Sequence, residues 1–493
     1  MGQLVKLIID DMSDRGQGIG RTEEGMAVFV MGAIPGDHVT AELTKVKKRY
    51  AFGKLVHIDR PSEDRREGFC IYNGECGGCP YSAMNYEAQL SLKERHVRDA
   101  LERLGGVEDP AVRPALAAAE SCAYRNKAVM PVSTGGIVPK KGGVIIPAGE
   151  PRVGFYRARS HNVVDCSTCR LQAAPAMAAA EALRAFMKED HITGYDSRWD
   201  KGLFRHMTVR TAFGTGEVMV ILVINGKGIP NGDKLCMMLD DAIADCEYDE
   251  NGEPRYVLSS VVININKGKT DRIYGDKSYV LAGSPVIHEE IGGMKYEISP
   301  MSFYQVNPRQ MEALYNKAAE YADLKGGETV LDLYCGAGTI GLWLIHELAE
   351  RDPEAAGSVR MLGIESVREA VLDANRNAVL NHIVNARYIC GKAEDMLEQM
   401  MDPESDLEEG LRITSADVAV LDPPRAGCEE KMLDAVAKAQ PERIVYVSCN
   451  PATLARDVKY LAGRDWKLEE VTPVDMFPWT GRAEAVCLLR RIK

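Results

Sequence analysis

The sequence predicts a multidomain protein with a small N-terminal β-barrel over residues 1–60, a central α+β region over 61–300 and a C-terminal α/β domain over 301–493. Three observations carry this. Short apolar runs alternate with glycine turns at the start of the chain. A tight group of cysteines then leads into mixed strands and helices. Finally, Val330-Leu331-Asp332-Leu333-Tyr334-Cys335-Gly336-Ala337-Gly338-Thr339-Ile340-Gly341-Leu342 reads as a buried strand, a glycine turn and an apolar helix, the opening unit of a doubly wound parallel sheet.

Length and composition allow this arrangement. A chain of 493 residues with 45% apolar content can fill roughly three cores of about 150 residues each. The net charge of −12 excludes indiscriminate nucleic-acid binding, so any such contact must come from local basic patches. The longest apolar run, Val218 to Ile224, is too short to span a bilayer. No leader pattern opens the chain, and Lys6 stands where a myristoylation signal needs Ser or Thr. A cytoplasmic protein is expected, without membrane contact. Its 13 cysteines are then not a disulfide framework.

Taken in order, Leu4–Ile9, Met26–Val30, Val39–Val46 and Leu55–Ile58 are expected strands. Gly16-Gln17-Gly18-Ile19-Gly20 reads as a turn. Strands at such short intervals suit a small barrel. Lys45, Lys47, Lys48 and Arg49 precede Tyr50 and Phe52. Basic residues beside aromatics suit single-stranded nucleic acid, through phosphate attraction and base stacking, although charge alone equally describes a solvated hairpin.

Cys70, Cys76 and Cys79 follow with spacing C-x5-C-x2-C around Gly77 and Gly78. Three close thiolates need a fourth to complete a tetrahedral zinc site or a four-iron cluster, and glycines beside them free backbone amides to point at sulfur. Cys166 and Cys169 are the downstream candidates. Zinc more often uses two C-x2-C pairs, so the wider first gap leans towards iron–sulfur. Asn85–Leu104 predicts one long helix ended by Gly105-Gly106. Ala128–Val132, Val144–Ile146, Val153–Tyr156, His206–Thr211, Val218–Asn225, Val257–Asn266 and Lys295–Ser299 are expected strands, with Ala173–Met187 and Lys234–Ala244 helical. Pro131 confines the first of these strands to a sheet edge. His161 and His206 are given structural roles.

In the last third, Asn307–Ala322 and Val367–Asn381 read as helices, and Asp402–Glu409 as a solvated acidic run. Gly336, Gly338 and Gly341 make G-x-G-x-x-G, weak evidence by itself. The strand Met361–Ile364 ends in Glu365, 29 positions beyond Gly336, where a carboxylate can accept both hydroxyls of a ribose. Nothing nearby looks like a phosphate site, which favours S-adenosylmethionine over a nicotinamide dinucleotide. Glu394 and Asp395 follow the strand Arg387–Cys390, where adenine contacts belong. Two more strands end in Asp422-Pro423-Pro424-Arg425 and Ser448-Cys449-Asn450-Pro451. Ligands of open α/β sheets lie beyond the carboxyl ends of the strands. Asp332, Glu365, Asp422 and Cys449 are all expected at such ends, which points to an enzyme.

These motifs together resemble the S-adenosylmethionine-dependent RNA (uracil-5-)-methyltransferases, specifically the iron–sulfur type that makes 5-methyluridine in 23S rRNA. The resemblance runs nearly end to end. It implies that the N-terminal barrel is a TRAM domain, an OB-like RNA-binding module, and that the C-terminal domain is a Rossmann-like methyltransferase. The run from Gly154-Phe155-Tyr156 through Ser160-His161 to Val164-Asp165-Cys166-Ser167-Thr168-Cys169 matches the family, and its fourth cluster ligand falls on Cys169, with Cys166 an extra cysteine and a rival. Cys70, Cys76, Cys79 and Cys169 would then hold a 4Fe–4S cluster that braces the RNA-binding region. Ser302-Phe303-Tyr304-Gln305-Val306-Asn307 also matches. By the same resemblance Gln305, Tyr334, Glu365 and Asp422 hold S-adenosylmethionine, and Phe303 stacks on a base. The family's C-terminal motif has His two residues before a Glu, whereas here Arg482 precedes Glu484.

The implied chemistry explains the residue types. Carbon 5 of uracil is a poor nucleophile until a thiolate adds at carbon 6, and Cys449 at a strand end suits that addition. Cys335 is the rival, inside the cofactor turn. Glu484 would then remove the carbon-5 proton. The target base must leave its stack to be reached. The expected partner is RNA, with 23S rRNA favoured over tRNA, and a monomer is expected. Rival readings are an exocyclic-amine methyltransferase, which would need no nucleophilic cysteine, a radical methylthiotransferase, which would need a C-x3-C-x2-C triplet that is absent, and a non-catalytic RNA assembly factor.

Overall fold

The computed structural model describes residues 2–68, 70–134 and 149–492. The chain forms two compact units. One contains residues 1–68, 80–119 and 309–493, and the other contains 69–79 and 120–308.

The first unit begins with five strands, β1 (Leu4–Met12), β2 (Gln17–Arg21), β3 (Ala27–Met31), β4 (His38–Val46) and β5 (Tyr50–Arg60), closed into a barrel in the order β1-β2-β3-β5-β4. Period-two alternation fills it: Leu7, Ile9, Val28, Val30, Val39 and Ala41 point inward, while Ile8 stays exposed. The expected turn at Gly16–Gly20 is corrected. Only Gly16 turns, and Gly18 and Gly20 lie within β2. A Cβ at Gly18 would come within 2.6 Å of the Ala33 carbonyl oxygen, and one at Gly20 within 2.7 Å of that of Ile8, so these glycines admit a neighbouring backbone.

Helix α1 (Tyr86–Ala100) is capped by Asn85, whose side chain accepts from the Ala88 amide at 2.8 Å. A π-helical turn, Leu101–Gly105, extends it and Gly106 closes it at φ 68°. Val97 and Leu101 enter the same core as Leu454, Ala455 and Val458 further along this unit.

The second unit is built on a seven-stranded sheet. Its elements are β6 (Lys127–Ser133), β7 (Arg152–Tyr156), β8 (Val163–Asp165), α2 (Ala174–Glu189), β9 (Phe204–Thr211), β10 (Glu217–Ile224), α3 (Gly232–Ala244), β11 (Val257–Ile265) and β12 (Lys277–Gly283), in the order β12-β11-β10-β9-β6-β7-β8. A separate hairpin joins β13 (Ile287–Ile291) and β14 (Met294–Ile298). The expected strand Val144–Ile146 lies outside the described residues. The edge placement of β6 is corrected, because it sits inside the sheet. Lys127 to Pro131 pair with β9, and Val132 and Ser133 pair with β7. Proline is tolerated because it falls where the strand changes partners, at the last position registered against β9.

The remaining elements of the first unit are α4 (Pro308–Ala322), β15 (Thr329–Leu333), α5 (Thr339–Ala349), α6 (Pro353–Ser358), β16 (Arg360–Glu365), α7 (Arg368–Leu380), β17 (Ala386–Cys390), α8 (Ala393–Met401), β18 (Val418–Leu421), α9 (Glu430–Ala439), β19 (Arg443–Ser448), α10 (Pro451–Ala462), β20 (Trp466–Val474) and β21 (Glu484–Arg491). Their sheet runs β17-β16-β15-β18-β19-β21-β20, with β17 to β19 parallel and β21 antiparallel. The chain order reverses between β15 and β18, and a crevice opens there at the carboxyl ends. Residues 111–116 run parallel to β20, with Val112 paired to Val471 and Leu116 to Val474. Among the described residues no helix is long and apolar enough to cross a membrane.

Candidate active site

The crevice at the β15/β18 reversal opens into a cavity of about 590 Å3 lined by Tyr334, Glu365, Ser366, Glu394, Pro424 and Cys428, among others. Tyr334, which lines it, leads into the glycine turn. Tyr334, Gly336 and Gly338 all take left-handed conformations, at φ 62°, 55° and 73°, and Gly338 leads into α5. A Cβ at Gly341 would meet Asp332 Oδ2 at 2.6 Å, and the Gly341 amide donates to that oxygen at 3.1 Å. Asp332 is therefore not at the strand end as expected. It is the fourth residue of β15, almost wholly buried, and braces the turn from beneath.

Glu365 does end β16. One carboxylate oxygen accepts from the Gly336 amide at 3.2 Å, and the other from the Val367 amide at 2.8 Å. Both turns around the cavity are thus tied to one carboxylate, which keeps further lone pairs for a diol. Of the two acids expected near an adenine, Glu394 lines the cavity, whereas Asp395 pairs with Lys431 at 2.5 Å. Cys428, Arg456 and Tyr460 also line the wall. Sequence reading missed them because they lie in a loop and a helix beyond the strand ends. Burial pushes the Cys428 thiol up to about 12. Cys335 is buried within the turn, and burial together with the charges of Asp332 and Glu365 pushes its thiol well up, so it is a poor nucleophile.

Cys449 and Glu484 meet beside this crevice. Ser448, the last residue of β19, is the cross-strand partner of Ala485 on antiparallel β21, so Cys449 and Glu484 are the next residues out on neighbouring strands. Cys449 is half-buried, and its thiol is raised by burial and by the charges of Glu484 and Asp422, against the pull of Arg425. The Asn450 side-chain amide donates to the Arg425 carbonyl at 3.0 Å, tying this loop to the one after β18. Glu484 is 6% exposed and its Oε2 has no partner. Burial pushes its carboxyl to about 8, the Asp422 charge adds to this, and Arg482 opposes it. Asp422 is half-buried as a residue, yet its carboxyl is enclosed, and burial plus the charge of Asp332 bring it to about 7. Burial likewise holds Asp332 near 7, and its Oδ1 is unpartnered. Three linked acids, of which Asp332 and Glu484 each have an oxygen without a partner among the described residues, suit a cationic ligand, which would favour their ionised forms.

Gln305 lies in the second unit, buried, with its carbonyl accepting from Asn126 Nδ2 at 3.0 Å. Phe303, in the same unit, is 65% exposed. The cysteines 70, 76, 79 and 169 are in this unit too. Tyr72 OH and Ser167 Oγ lie 2.9 Å apart, and the Gly77 amide donates to the Tyr156 carbonyl at 3.2 Å, holding the 70–79 loop against the 156–169 segment. Burial and the charges of Cys169, Cys76 and Cys70 push the Cys79 thiol to about 12. A hydrogen bond from Cys166 lowers Cys76, and the Gly78 amide also donates to it, as glycines beside thiolates should allow. Cys166 itself is buried and raised. The thiols feel one another's charge, but among the described residues no three metal-binding side chains converge at ion-ligating spacing.

On the barrel, Phe29, Tyr50 and Phe52 cluster with ring centroids 5.6–5.8 Å apart, and Lys45, Lys47, Lys48 and Arg49 are exposed on the adjoining hairpin. An exposed cation cluster beside aromatic rings suits single-stranded nucleic acid.

Comparison with known proteins agrees with this geometry. Residues 255–492 match the tRNA (Uracil-5-)-methyltransferase family model, and residues 1–56 match the TRAM domain. An uncharacterized RNA methyltransferase of Clostridium tetani is 40% identical over 483 residues, covering 98% of this chain and 95% of that one. One of Halalkalibacterium halodurans is 38% identical over 486 residues, covering 99% and 96%. The crystal structure of Pyrococcus abyssi tRNA (uracil-54, C5)-methyltransferase in complex with S-adenosyl-L-homocysteine aligns with a TM-score of 0.70 at 27% identity, covering 98% of this chain and 99% of that one. A barrel built for RNA, a crevice built for a cationic adenosyl ligand and these relatives lead to one conclusion: the chain belongs to the S-adenosylmethionine-dependent RNA (uracil-5-)-methyltransferase family and carries an N-terminal TRAM domain.

Proposed function

We propose that this enzyme methylates carbon 5 of a specific uridine in 23S rRNA, acting as a monomer through a covalent link between Cys449 and carbon 6 of the base. The observation that supports the reading is that Cys449 and Glu484 are the next residues outward from the Ser448–Ala485 pair of β19 and β21. The Cys449 thiol gives its proton to solvent water and the thiolate adds to carbon 6, leaving enolate charge that makes carbon 5 nucleophilic. S-adenosylmethionine supplies the methyl group, held by Tyr334, Glu365, Asp422 and Gln305. Glu484 then takes the carbon-5 proton, and the Cys449–carbon 6 bond breaks to return the thiolate. A carboxylate raised to about 8 is a stronger base than an ordinary one, which this step needs.

In this reading residues 1–60 bind RNA, 61–300 carry the cluster and further RNA contacts, and 301–493 perform the transfer. Cys70, Cys76, Cys79 and Cys169 would hold a 4Fe–4S cluster. Their soft thiolates suit that group, three from the 70–79 loop and one from the segment tied to it, and it would brace the fold rather than take part in the transfer. The Pyrococcus abyssi neighbour favours a second reading, in which tRNA is the substrate. Methyl transfer to 23S rRNA fragments and to tRNA transcripts, with 5-methyluridine mapped in cells with and without the gene, separates the two. Loss of 5-methyluridine from 23S rRNA alone supports the first. Loss from tRNA alone overturns it, and no loss from either points to a non-catalytic assembly factor.

A further inference from the structure

A second cavity, of about 720 Å3, opens on the sheet of the second unit, lined by none of the residues given above to cofactor binding, methyl transfer or the cluster. Arg152, Arg198, Arg205 and Arg272 line it, against Asp196 and Asp271. That balance is cationic in a chain of net charge −12. Arg198 is already paired with Asp196 at 2.5 Å and Arg272 with Asp276 at 3.1 Å. Arg205 is different. It is 7% exposed, and no carboxylate pairs with it among the described residues. Its guanidinium donates to the carbonyls of Asn266 and Gly268 at 3.0 and 2.7 Å and stacks on Tyr195 at 4.2 Å, but its Nε has no partner. A buried guanidinium held only by carbonyls and a ring lacks the anion that would offset its desolvation.

The neighbouring wall is aromatic. Tyr156, 38% exposed, packs edge-on against His161 with centroids 5.5 Å apart, and its hydroxyl lies 3.3 Å from His206 Nε2. His206 Nδ1 is buried and unpartnered, and burial plus the charge of Arg205 hold the imidazole near 4, hence neutral. A cation lacking its anion, an open aromatic face and an unpaired ring nitrogen are the three things that a nucleotide's phosphate, base face and base edge require. We infer that this recess is a second RNA site, which seats one unstacked nucleotide of a single-stranded segment with its base on Tyr156 and its phosphate towards Arg205. The inference rests on RNA being the enzyme's substrate, and places a specificity contact outside the methyl-transfer crevice.

The test uses the full-length protein and a 5′-fluorescein-labelled single-stranded decauridylate, with uridine monophosphate and inorganic phosphate as competitors. Tyr156→Leu should weaken decauridylate binding at least about fivefold, the lower end of losing one base–aromatic stack. Tyr156→Phe, which keeps the ring, should stay within about twofold of wild type. Unchanged S-adenosylmethionine affinity shows that both variants fold. In methyl transfer Tyr156→Leu should raise the KM for RNA and leave kcat nearly unchanged, and 4-thiouridine RNA should cross-link to peptides containing residues 152–163 or 204–211. Wild-type RNA affinity and KM in Tyr156→Leu overturn the site while leaving the methyl-transfer reading intact. Competition by uridine monophosphate or phosphate with no effect of Tyr156→Leu on RNA makes it a small-anion site and also overturns the proposal. A wild-type protein that methylates no RNA overturns the proposed function, and failure to bind decauridylate removes the site with it.

Discussion

Ser448 and Ala485 are cross-strand partners, and Cys449 and Glu484 are the next residues outward from this pair. Cys449 is the first residue of the loop after β19 and Glu484 the first residue of β21, so the sheet anchors Glu484 and the start of the loop that carries Cys449. After burial, the charge of Glu484 is the next reason that the Cys449 thiol is harder to ionise.

If Cys449 adds to the base and Glu484 removes the carbon-5 proton, RNA with 5-fluorouridine at the target has nothing for Glu484 to remove. It should accept the methyl group and stay attached through denaturing electrophoresis, with the link on Cys449 by peptide mass mapping. Cys449→Ala should give no adduct. Glu484→Gln should accumulate a similar species on ordinary RNA, since addition and transfer proceed while elimination is slowed. A link on Cys335 would overturn the assignment. Normal turnover by the Gln variant would move the base role to another group, with Arg482 its positioner.

The pH dependence follows from the same pair. Both Cys449 and Glu484 act deprotonated and both are raised, Glu484 to about 8, so kcat/KM should climb through pH 8 in coupled steps instead of levelling off near neutrality. Stability moves the other way. The folded carboxyl keeps its proton to about pH 8, whereas the unfolded one releases it near 4.5. The stabilisation is therefore complete below pH 4.5 and lost as pH rises through 8. Glu484→Gln cannot ionise, and at pH 9 it should be more stable than wild type by on the order of 1–3 kcal/mol in urea titrations, a gain that vanishes at pH 4.

Removal of the Glu365 carboxylate should loosen the cofactor without touching the nucleophile. Glu365→Ala should weaken S-adenosylmethionine binding by roughly 1.5–3 kcal/mol in calorimetry, the scale of a hydrogen bond to a charged group. Unchanged affinity would exclude the ribose role.

Anaerobically purified protein should be brown with about four irons per chain, and serine at Cys70, Cys76, Cys79 or Cys169 should each remove the colour. Stoichiometric zinc in colourless protein would replace the cluster assignment. Retention of iron by Cys169→Ser together with its loss from Cys166→Ser would exchange the fourth ligand.

Lys93 is 2% exposed and donates to Asp475 at 2.6 Å and to the Phe477 carbonyl at 3.0 Å, at the root of the loop that leads to Glu484. Lys93→Met leaves the Asp475 charge buried and should cost about 3–5 kcal/mol. A double variant with Asp475→Asn should recover part of that loss.

The glycine turn, the strand-end acids Glu365 and Asp422 and the nucleophile loop were legible because each is a local pattern of apolar strand followed by a reactive residue. The strand pair β20 and β21 was not read as such, although Glu484 was placed by its motif, because register between distant strands leaves no mark in either segment. Asp332 was misplaced by one residue for a related reason. An acid inside a buried strand looks from the sequence like one that ends it, and only the contact with Gly341 tells them apart. The interior glycines of β2 likewise look like a turn until the Ala33 and Ile8 carbonyls are seen pressing on them.

The pairing of Val112 and Leu116 with β20 has a consequence for synthesis of the chain. Val112 emerges from the ribosome long before its partner Val471 is translated. At 5–20 residues per second the interval is roughly 20–70 s. Until then the 111–116 segment has exposed amides and carbonyls with no strand to receive them, and a nascent protein arrested before β20 presents that segment as a free edge. β20 and β21 complete the methyltransferase sheet after every other strand in it has been made, so a ribosome that stalls before them holds a chain with its glycine turn in place and Glu484 still missing.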